Sequence, residues 1–229
     1  MHTEYHKIET LYERDPQTFV VNPNVLKNRT FELLKRWVFT EKVDGTNIRA
    51  IWNPTDGERL KFGGRTANAQ IPADLVNWLR TNVLESRLQE VFPDTSAVLY
   101  GEGYGAGIQK VGKEYSAEKK LILFDVLVLD SSPAIAAASE VLHRQVTGQW
   151  WLSQENVEDV GRKLGLRVVP VVGEMSLERA TEFVRTGFKS LVAETPLAAE
   201  GLVGRPAETL YDKKGSRLIL KLKTRDFGK

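Results

Sequence analysis

Cysteine is absent from the 229-residue chain. That excludes disulfides, thiol nucleophiles, iron–sulfur clusters and thiolate zinc sites together. Histidine is scarce, with only His2, His6 and His143, so a histidine-built metal centre has little to draw on. No apolar run approaches the roughly 20 residues of a membrane span. The longest, Leu121–Leu129 (LILFDVLVL), carries Asp125 at its middle and reads as a buried strand. The first fifteen residues are charged and lack the apolar segment of a secretory signal. The expectation is a soluble, cytoplasmic protein with no membrane partner. A dominant charge is missing too: 32 basic against 30 acidic side chains leave a net +2. Bulk charge therefore cannot coat a polyanion, and any such binding must come from a local patch.

The composition that remains, 41% hydrophobic and 27% charged, is that of a globular chain able to bury a core. There is no internal repeat, and Ser131–Ser139 (SSPAIAAAS) is the nearest approach to low complexity. No Pro/Gly-rich linker interrupts the chain, which predicts a single domain over residues 1–229. Trp37–Val43 and Thr46–Trp52 are β-branched and aromatic runs joined around Gly45, the pattern of a hairpin. Glu58–Phe62 predicts a third strand after the turn at Pro54–Gly57. Pro72–Phe92 has helical periodicity, with Pro72 suited to the first turn and Pro93 ending it. Ala97–Tyr100 and Lys120–Leu129 read as strands. Ser153–Leu164 and Ser176–Arg185 read as helices opening on capping serines, with a strand at Arg167–Val172 between them. Two more strands lie near Gly201–Gly204 and Arg217–Lys223. Strands and helices mixed in this way predict an α+β fold on antiparallel sheets.

Four segments carry candidate chemistry. In Glu41-Lys42-Val43-Asp44-Gly45-Thr46-Asn47, a lysine and an acid two residues apart would project to one side of an extended chain. Gly101–Ala106 satisfies G-x-G-x-x-A, but the following GIQKVGKEY has no helical period and Glu102 would repel a pyrophosphate, so a dinucleotide fold is rejected. Glu102 better suits a ribose hydroxyl or a hydrated cation. Glu200 opens a short strand. In Leu218–Lys223 alternation places Ile219, Lys221 and Lys223 on one face, where two lysines repel unless a polyanion such as a triphosphate lies between them.

Taken in order, these segments resemble the covalent nucleotidyltransferases, the superfamily of polynucleotide ligases and RNA capping enzymes. Lys42-Val43-Asp44-Gly45 resembles their nucleophile motif and Gly64-Arg65-Thr66 their arginine motif. Tyr100-Gly101-Glu102, Leu123-Phe124-Asp125-Val126, Glu200-Gly201-Leu202-Val203 and Lys221-Leu222-Lys223 resemble those that follow. The string EKVDGTN is most similar to phage-type RNA ligases that seal breaks in double-stranded RNA. The chain ends six residues after Lys223, so neither the OB-fold domain of capping enzymes and DNA ligases nor the small helical domain of double-strand RNA ligases is expected.

The resemblance implies an ATP-dependent RNA ligase joining 3′-hydroxyl and 5′-phosphate ends of nicked or broken RNA. Lys42 would attack the α-phosphorus of ATP to give a lysyl–AMP, pass AMP to the 5′-phosphate, and the 3′-hydroxyl would then displace it. The attack needs a neutral amine, which neighbouring Lys221, Lys223 and a bound Mg²⁺ (or Mn²⁺) would favour. Arg65 and Glu102 would bind the ribose, Phe124 would stack on adenine, and Lys221 and Lys223 would hold the α-phosphate. Asp44, Glu102 and Glu200 would meet the metal through water, and Asn47 a phosphate or metal-bound water. Arg205–Lys229 holds eight basic and three acidic side chains. With Lys110 and Lys113 it is the expected phosphate track, Lys213, Lys214 and Arg217 being the candidates within it. Tyr104 and Tyr115 are candidate surface stacking residues. A DNA or mixed-substrate ligase, an end-adenylating enzyme and a non-catalytic nucleic-acid-binding relic are the alternatives. A protein partner is not indicated.

Overall fold

The computed structural model describes residues 4–130, 148–213 and 215–227. Ser131–Ser139, His143 and Lys214 lie outside them. The chain separates into two compact units, each threaded by several passes. One comprises Met1–Tyr5, Gly45–Tyr104 and Glu118–Val168; the other comprises His6–Asp44, Gly105–Ala117 and Val169–Lys229. Both are built on sheet flanked by helices, antiparallel apart from one short parallel pair at the edge of the second unit's sheet, which is the α+β architecture expected.

The first unit is organised on a five-stranded sheet made of β5 (Thr46–Trp52), β6 (Leu60–Gly63), β7 (Ser96–Tyr104), β8 (Lys120–Leu129) and β9 (Gln149–Trp151). Their order is β6-β5-β7-β8-β9. β8 is nearly continuous apolar sequence because both its faces are covered; Leu121, Leu123 and Val126 are buried. The helical pattern after Pro72 is split into α1 (Ala73–Asn82) and α2 (Glu85–Val91). At the break the Asn82 amide donates back to the Trp78 carbonyl (2.8 Å) and Thr81 Oγ1 to Asn77 O (3.0 Å). Such side chains compete with the helix for its own carbonyls. Val83 and Leu84 are extended, which turns Val83 into the core while Leu84 stays exposed. The third helix of this unit (Gln154–Leu164) is capped by Ser153 Oγ and closed by Gly165 in the left-handed region (φ 71°).

The second unit holds β1 (Glu9–Thr10), β4 (Trp37–Lys42), β10 (Val171–Met175), β11 (Gly201–Arg205) and β12 (Leu220–Lys223), in the order β1-β12-β11-β4-β10. A separate hairpin pairs β2 (Tyr12–Arg14) with β3 (Val21–Leu26). A helix at Leu177–Thr186, capped by Ser176 Oγ, lays Leu177, Ala180 and Val184 onto Trp37, Phe39, Leu202, Leu220 and Leu222. A four-residue helix, α3, spans Gly112–Tyr115.

The hairpin expected around Gly45 does not form. β4 pairs with β10 and β11, whereas β5 pairs with β6 and β7, so the chain leaves one sheet at Lys42 and enters another at Thr46. Gly45 is needed for a different reason: a Cβ there would sit 2.3 Å from the Gly103 carbonyl oxygen. The strand expected over Arg167–Val172 begins only at Val171, and that over Arg217–Lys223 only at Leu220. Ile219 is 2% exposed and so belongs to the core, not to an open lysine face. No described helix is long and apolar enough to cross a membrane.

Candidate active site

Three strands of the second unit bring its chemistry to one register line. On β11, Gly201 lies opposite Lys42 of β4 on one side and Lys223 of β12 on the other. Glu200 immediately precedes it, and its carboxylate is bracketed: Oε2 lies 2.6 Å from Lys42 Nζ and Oε1 lies 2.7 Å from Lys223 Nζ. These side chains are only 14–21% exposed. The backbone is tied as closely, with Thr224 donating its N–H to Glu200 O (2.9 Å) and its hydroxyl to Ala199 O (3.0 Å). Gly201 adopts φ 155°, and a Cβ there would meet Leu222 O at 2.0 Å, so only glycine lets β11 approach β12 beside the acid.

The electrostatics follow from this geometry. Burial alone would raise the Glu200 carboxyl, but Lys42 and Lys223 more than offset it and hold the group below its ordinary range. Asp44 is shifted upward, first by its own burial and then by the Glu200 charge, against the pull of Lys42, Lys223 and Arg225. Its backbone N–H points at the Tyr115 hydroxyl (3.4 Å). The cluster borders a cavity of about 640 Å³ lined in part by Lys189, Glu200, Thr224 and Arg225. Lys221 sits two residues before Lys223, between Thr10 of β1 and Val203 of β11, and is half-buried.

One participant is missing from the expectations. Glu41 is 1% exposed and accepts hydrogen bonds from the Ser190 hydroxyl and the Leu191 N–H (2.7 Å). Ser190 Oγ in turn receives the N–H groups of Val192 and Ala193 (3.1 and 3.0 Å). This buried acid anchors the loop after the Leu177–Thr186 helix next to the strand end that carries Lys42. An acid directly before Lys42, at the end of a strand that opens on Trp37-Val38-Phe39, was the available signal.

In the first unit, Asn47 and Glu102 are direct partners across β5 and β7. The buried Asn47 Oδ1 has no hydrogen-bond partner among the described residues. A bulge follows: Tyr100 pairs with Asp125 but Gly101 pairs with Leu123, so Phe124 is the extra residue on β8. Phe124 is half-buried and meets Tyr5 edge-on at 5.1 Å. Asp125, fully buried, accepts the Tyr5 hydroxyl (2.7 Å). Arg65 is exposed on the loop after β6. That loop is held by Arg49, a buried arginine the motif reading missed, whose Nε donates to the Gly64 carbonyl (2.7 Å). Gly101–Tyr104 remains strand to its end, which removes the dinucleotide reading.

Among the described residues no three His, Asp or Glu side chains stand close enough to ligate a metal directly. Both Glu200 oxygens are engaged by lysines, whereas Asp44, shifted upward by burial and by Glu200, is a carboxylate that a nearby cation would relieve. The residues thus suit a hydrated cation beside Asp44. The nucleic-acid expectations divide. Lys110, Lys113 and Lys213 are exposed and Arg217 is half-buried, bridged to Tyr211. Arg205 is 4% exposed inside β11 and is no part of a surface track. Tyr104 and Tyr115 are 3% and 1% exposed, so neither is available to stack on a base; each fills core volume instead.

A lysine at a strand end, charge-paired to a buried glutamate and flanked by a lysine strand, is the kind of site a covalent nucleotidyltransferase fold presents. The sequence model of the family described as RNA ligase matches residues 35–223, and the chain belongs to that family. Its fold is similar to solved structures of an RNA ligase from Naegleria gruberi. An apo variant gives a TM-score of 0.63 at 17% identity, over 98% of this chain and 56% of that one. A variant with ATP and Mn gives 0.63 at 17% over 96% and 56%, and a variant with AMP and Mn gives 0.59 at 16% over 96% and 62%. The chain thus spans little more than half the length of those proteins. No curated protein matches it by sequence.

Proposed function

We propose that the protein is an ATP-dependent RNA ligase that joins 3′-hydroxyl and 5′-phosphate ends of nicked or broken RNA, and that residues 1–229 act as one nucleotidyltransferase domain. The observation that carries this reading is the Lys42–Glu200–Lys223 bridge, set at 2.6 and 2.7 Å in a chain of the RNA ligase family. The Naegleria structures with ATP and Mn and with AMP and Mn support the choice of nucleotide and divalent cation.

At rest the Glu200 carboxylate bridges Lys42 and Lys223, its single negative charge shared between the two. An incoming triphosphate competes with Glu200 for Lys223 and Lys221, because a phosphate offers more negative charge than one carboxylate. With Lys223 drawn onto the phosphates, Lys42 passes its proton to the adjacent Glu200 carboxylate, 2.6 Å away, and its lone pair attacks the α-phosphorus; the P–N bond forms as the P–O bond to the departing pyrophosphate breaks. AMP then passes to the 5′-phosphate of RNA, and the 3′-hydroxyl displaces it to form the phosphodiester. Mg²⁺ or Mn²⁺, held through water beside Asp44, would supply charge neutralisation at the transferring phosphate. Glu102 and Glu200 are the remaining candidates for metal-bound water. We assign Phe124 to adenine stacking, Glu102 and Arg65 to the ribose, and Asn47 to phosphate or metal-bound water. A relic that had lost catalysis would have no reason to retain the acid and both lysines in register.

The test is incubation with α-labelled ATP and a divalent cation. A labelled protein that disappears in Lys42→Ala is the expected result. No label with ATP, or label only with GTP, would overturn it. Nicked duplexes with RNA or DNA at each side of the break then test the substrate; sealing of all-DNA nicks alone would overturn the RNA assignment.

A further inference from the structure

The tyrosines expected to stack on bases are buried, and the most exposed aromatic among the described residues of the second unit lies elsewhere. Phe19 is 68% exposed at the tip of the β2–β3 hairpin. Its φ is 59°, left-handed backbone that a bulky residue adopts only at a cost. The turn is nonetheless well tied: Phe19 N–H donates to Asp15 O, Asp15 N–H to Val20 O (both 2.9 Å), and Arg14 Nη1 to Phe19 O (3.0 Å). Nothing in the core gains from the ring, so the conformation holds it out into solvent.

Below it runs a trough of about 760 Å³, lined by Phe19 together with six basic and three acidic side chains. Two of those cations are already paired, Arg14 with Asp226 (2.6 Å) and Lys27 with Glu13 (2.9 Å). Lys7 and Arg225 are exposed and make no hydrogen bond or ion pair among the described residues. Lys221 and Lys223 line it too. The trough thus joins an exposed ring to two cations with no such partner, Lys7 and Arg225, and to the lysine that grips Glu200.

An aromatic platform with a cationic groove is the combination that holds single-stranded nucleic acid without reading its sequence. We propose that this trough seats a single-stranded stretch of RNA at the break, with one base stacked on Phe19 and backbone phosphates on Lys7, Lys221 and Arg225. The occupant is nucleic acid because the charge is complementary to a phosphodiester chain and the ring offers a π-face. A free pyrophosphate would use only the cations. The proposal rests on the RNA ligase reading and locates the strand that the reading requires.

The experiment measures binding of a short fluorescein-labelled single-stranded RNA by anisotropy across a salt series, with lysyl–AMP formation from α-labelled ATP as a parallel readout. Phe19→Asn is the central variant, since Asn tolerates left-handed backbone and the hairpin keeps its fold. It should weaken RNA binding about 5- to 100-fold at fixed salt, the loss of one stacked base, with the salt slope unchanged. Phe19→Trp should bind at least as tightly as the native protein. Lys7→Ala should reduce the slope of log K against log salt by about 0.7, one single-strand phosphate contact. Lysyl–AMP formation should be unaltered in all three. Unchanged RNA affinity in Phe19→Asn and an unchanged slope in Lys7→Ala would overturn the proposal. So would a loss of lysyl–AMP formation at limiting ATP with RNA binding intact, which would make the trough a triphosphate seat. A native protein that binds RNA through Phe19 yet never labels with ATP would sink the ligase reading and leave the trough standing.

Discussion

Replacing Glu200 by Gln keeps the shape of the side chain and removes its charge. The native carboxylate holds Lys42 Nζ at 2.6 Å on one oxygen and Lys223 Nζ at 2.7 Å on the other. Two nitrogens hung from one carboxylate stand roughly 5 Å apart, and at an effective dielectric near 20 their repulsion is about 3 kcal/mol. Native Glu200 compensates it; the amide cannot, and its NH₂ faces one of the two ammoniums donor to donor. Lys42 and Lys223 retain 21% and 15% exposure and can swing partly into water, so about 1–3 kcal/mol of destabilisation should be measured near pH 7. The pH dependence gives the signature. Glu200 has a folded-state pKa below its ordinary 4.5, so its contribution is fully present above that value and fades as pH falls through the depressed one. Urea unfolding of both proteins near pH 7 and near pH 3 should show the gap narrowing in acid. A second substitution, Lys223→Met, should restore most of the loss in the Gln background by removing the repulsion. A gap of equal size at both pH values, or no recovery in the double variant, would refute the reasoning.

Gly201→Ala forces a Cβ to within 2.0 Å of Leu222 O, a contact with backbone that cannot step aside. It should lower the thermal midpoint by about 6 °C or more, corresponding to roughly 3 kcal/mol in a chain of this size, as read by calorimetry. Ser190→Ala leaves the buried Glu41 carboxylate with one donor fewer. We expect a loss of about 1–3 kcal/mol in urea unfolding, with faster proteolysis in residues 188–193. Phe124→Ala should raise the ATP concentration needed for half-maximal lysyl–AMP formation about 3- to 10-fold with a smaller effect on the maximal rate, the pattern of a lost stacking surface. An unchanged ATP dependence would remove Phe124 from the nucleotide site.

Local patterns carried much of the fold. β5 and β8 lie at the bounds the sequence predicts, because β-branched alternation in one and an unbroken apolar run in the other leave no competing reading. Ser153 and Ser176 cap the helices they announce. What failed was partner choice. The runs flanking Gly45 are both strands, yet they belong to different sheets, and no local signal distinguishes a hairpin glycine from one required by close backbone approach. Burial was equally hidden for Tyr104 and Tyr115, since a tyrosine's neighbours in sequence do not show whether its ring is covered. Asn22-Pro23-Asn24 inside β3 masked the hairpin that presents Phe19, because proline and asparagine argue against a strand. For the site, Lys42, Glu200 and Lys223 were legible only through resemblance. Their meeting is a fact of register across three strands, and 158 residues separate the lysine from its acid.

That bracketed carboxylate also bears on chemical housekeeping. A solvent-facing reactive amine would be consumed by any acylating or carbamoylating compound it met. Lys42 is instead paired with Glu200 at 2.6 Å and only 21% exposed, which screens its amine from such reagents. On the proposed ligase reading, the same pairing shields the nucleophile from the wrong electrophile until a nucleotide arrives.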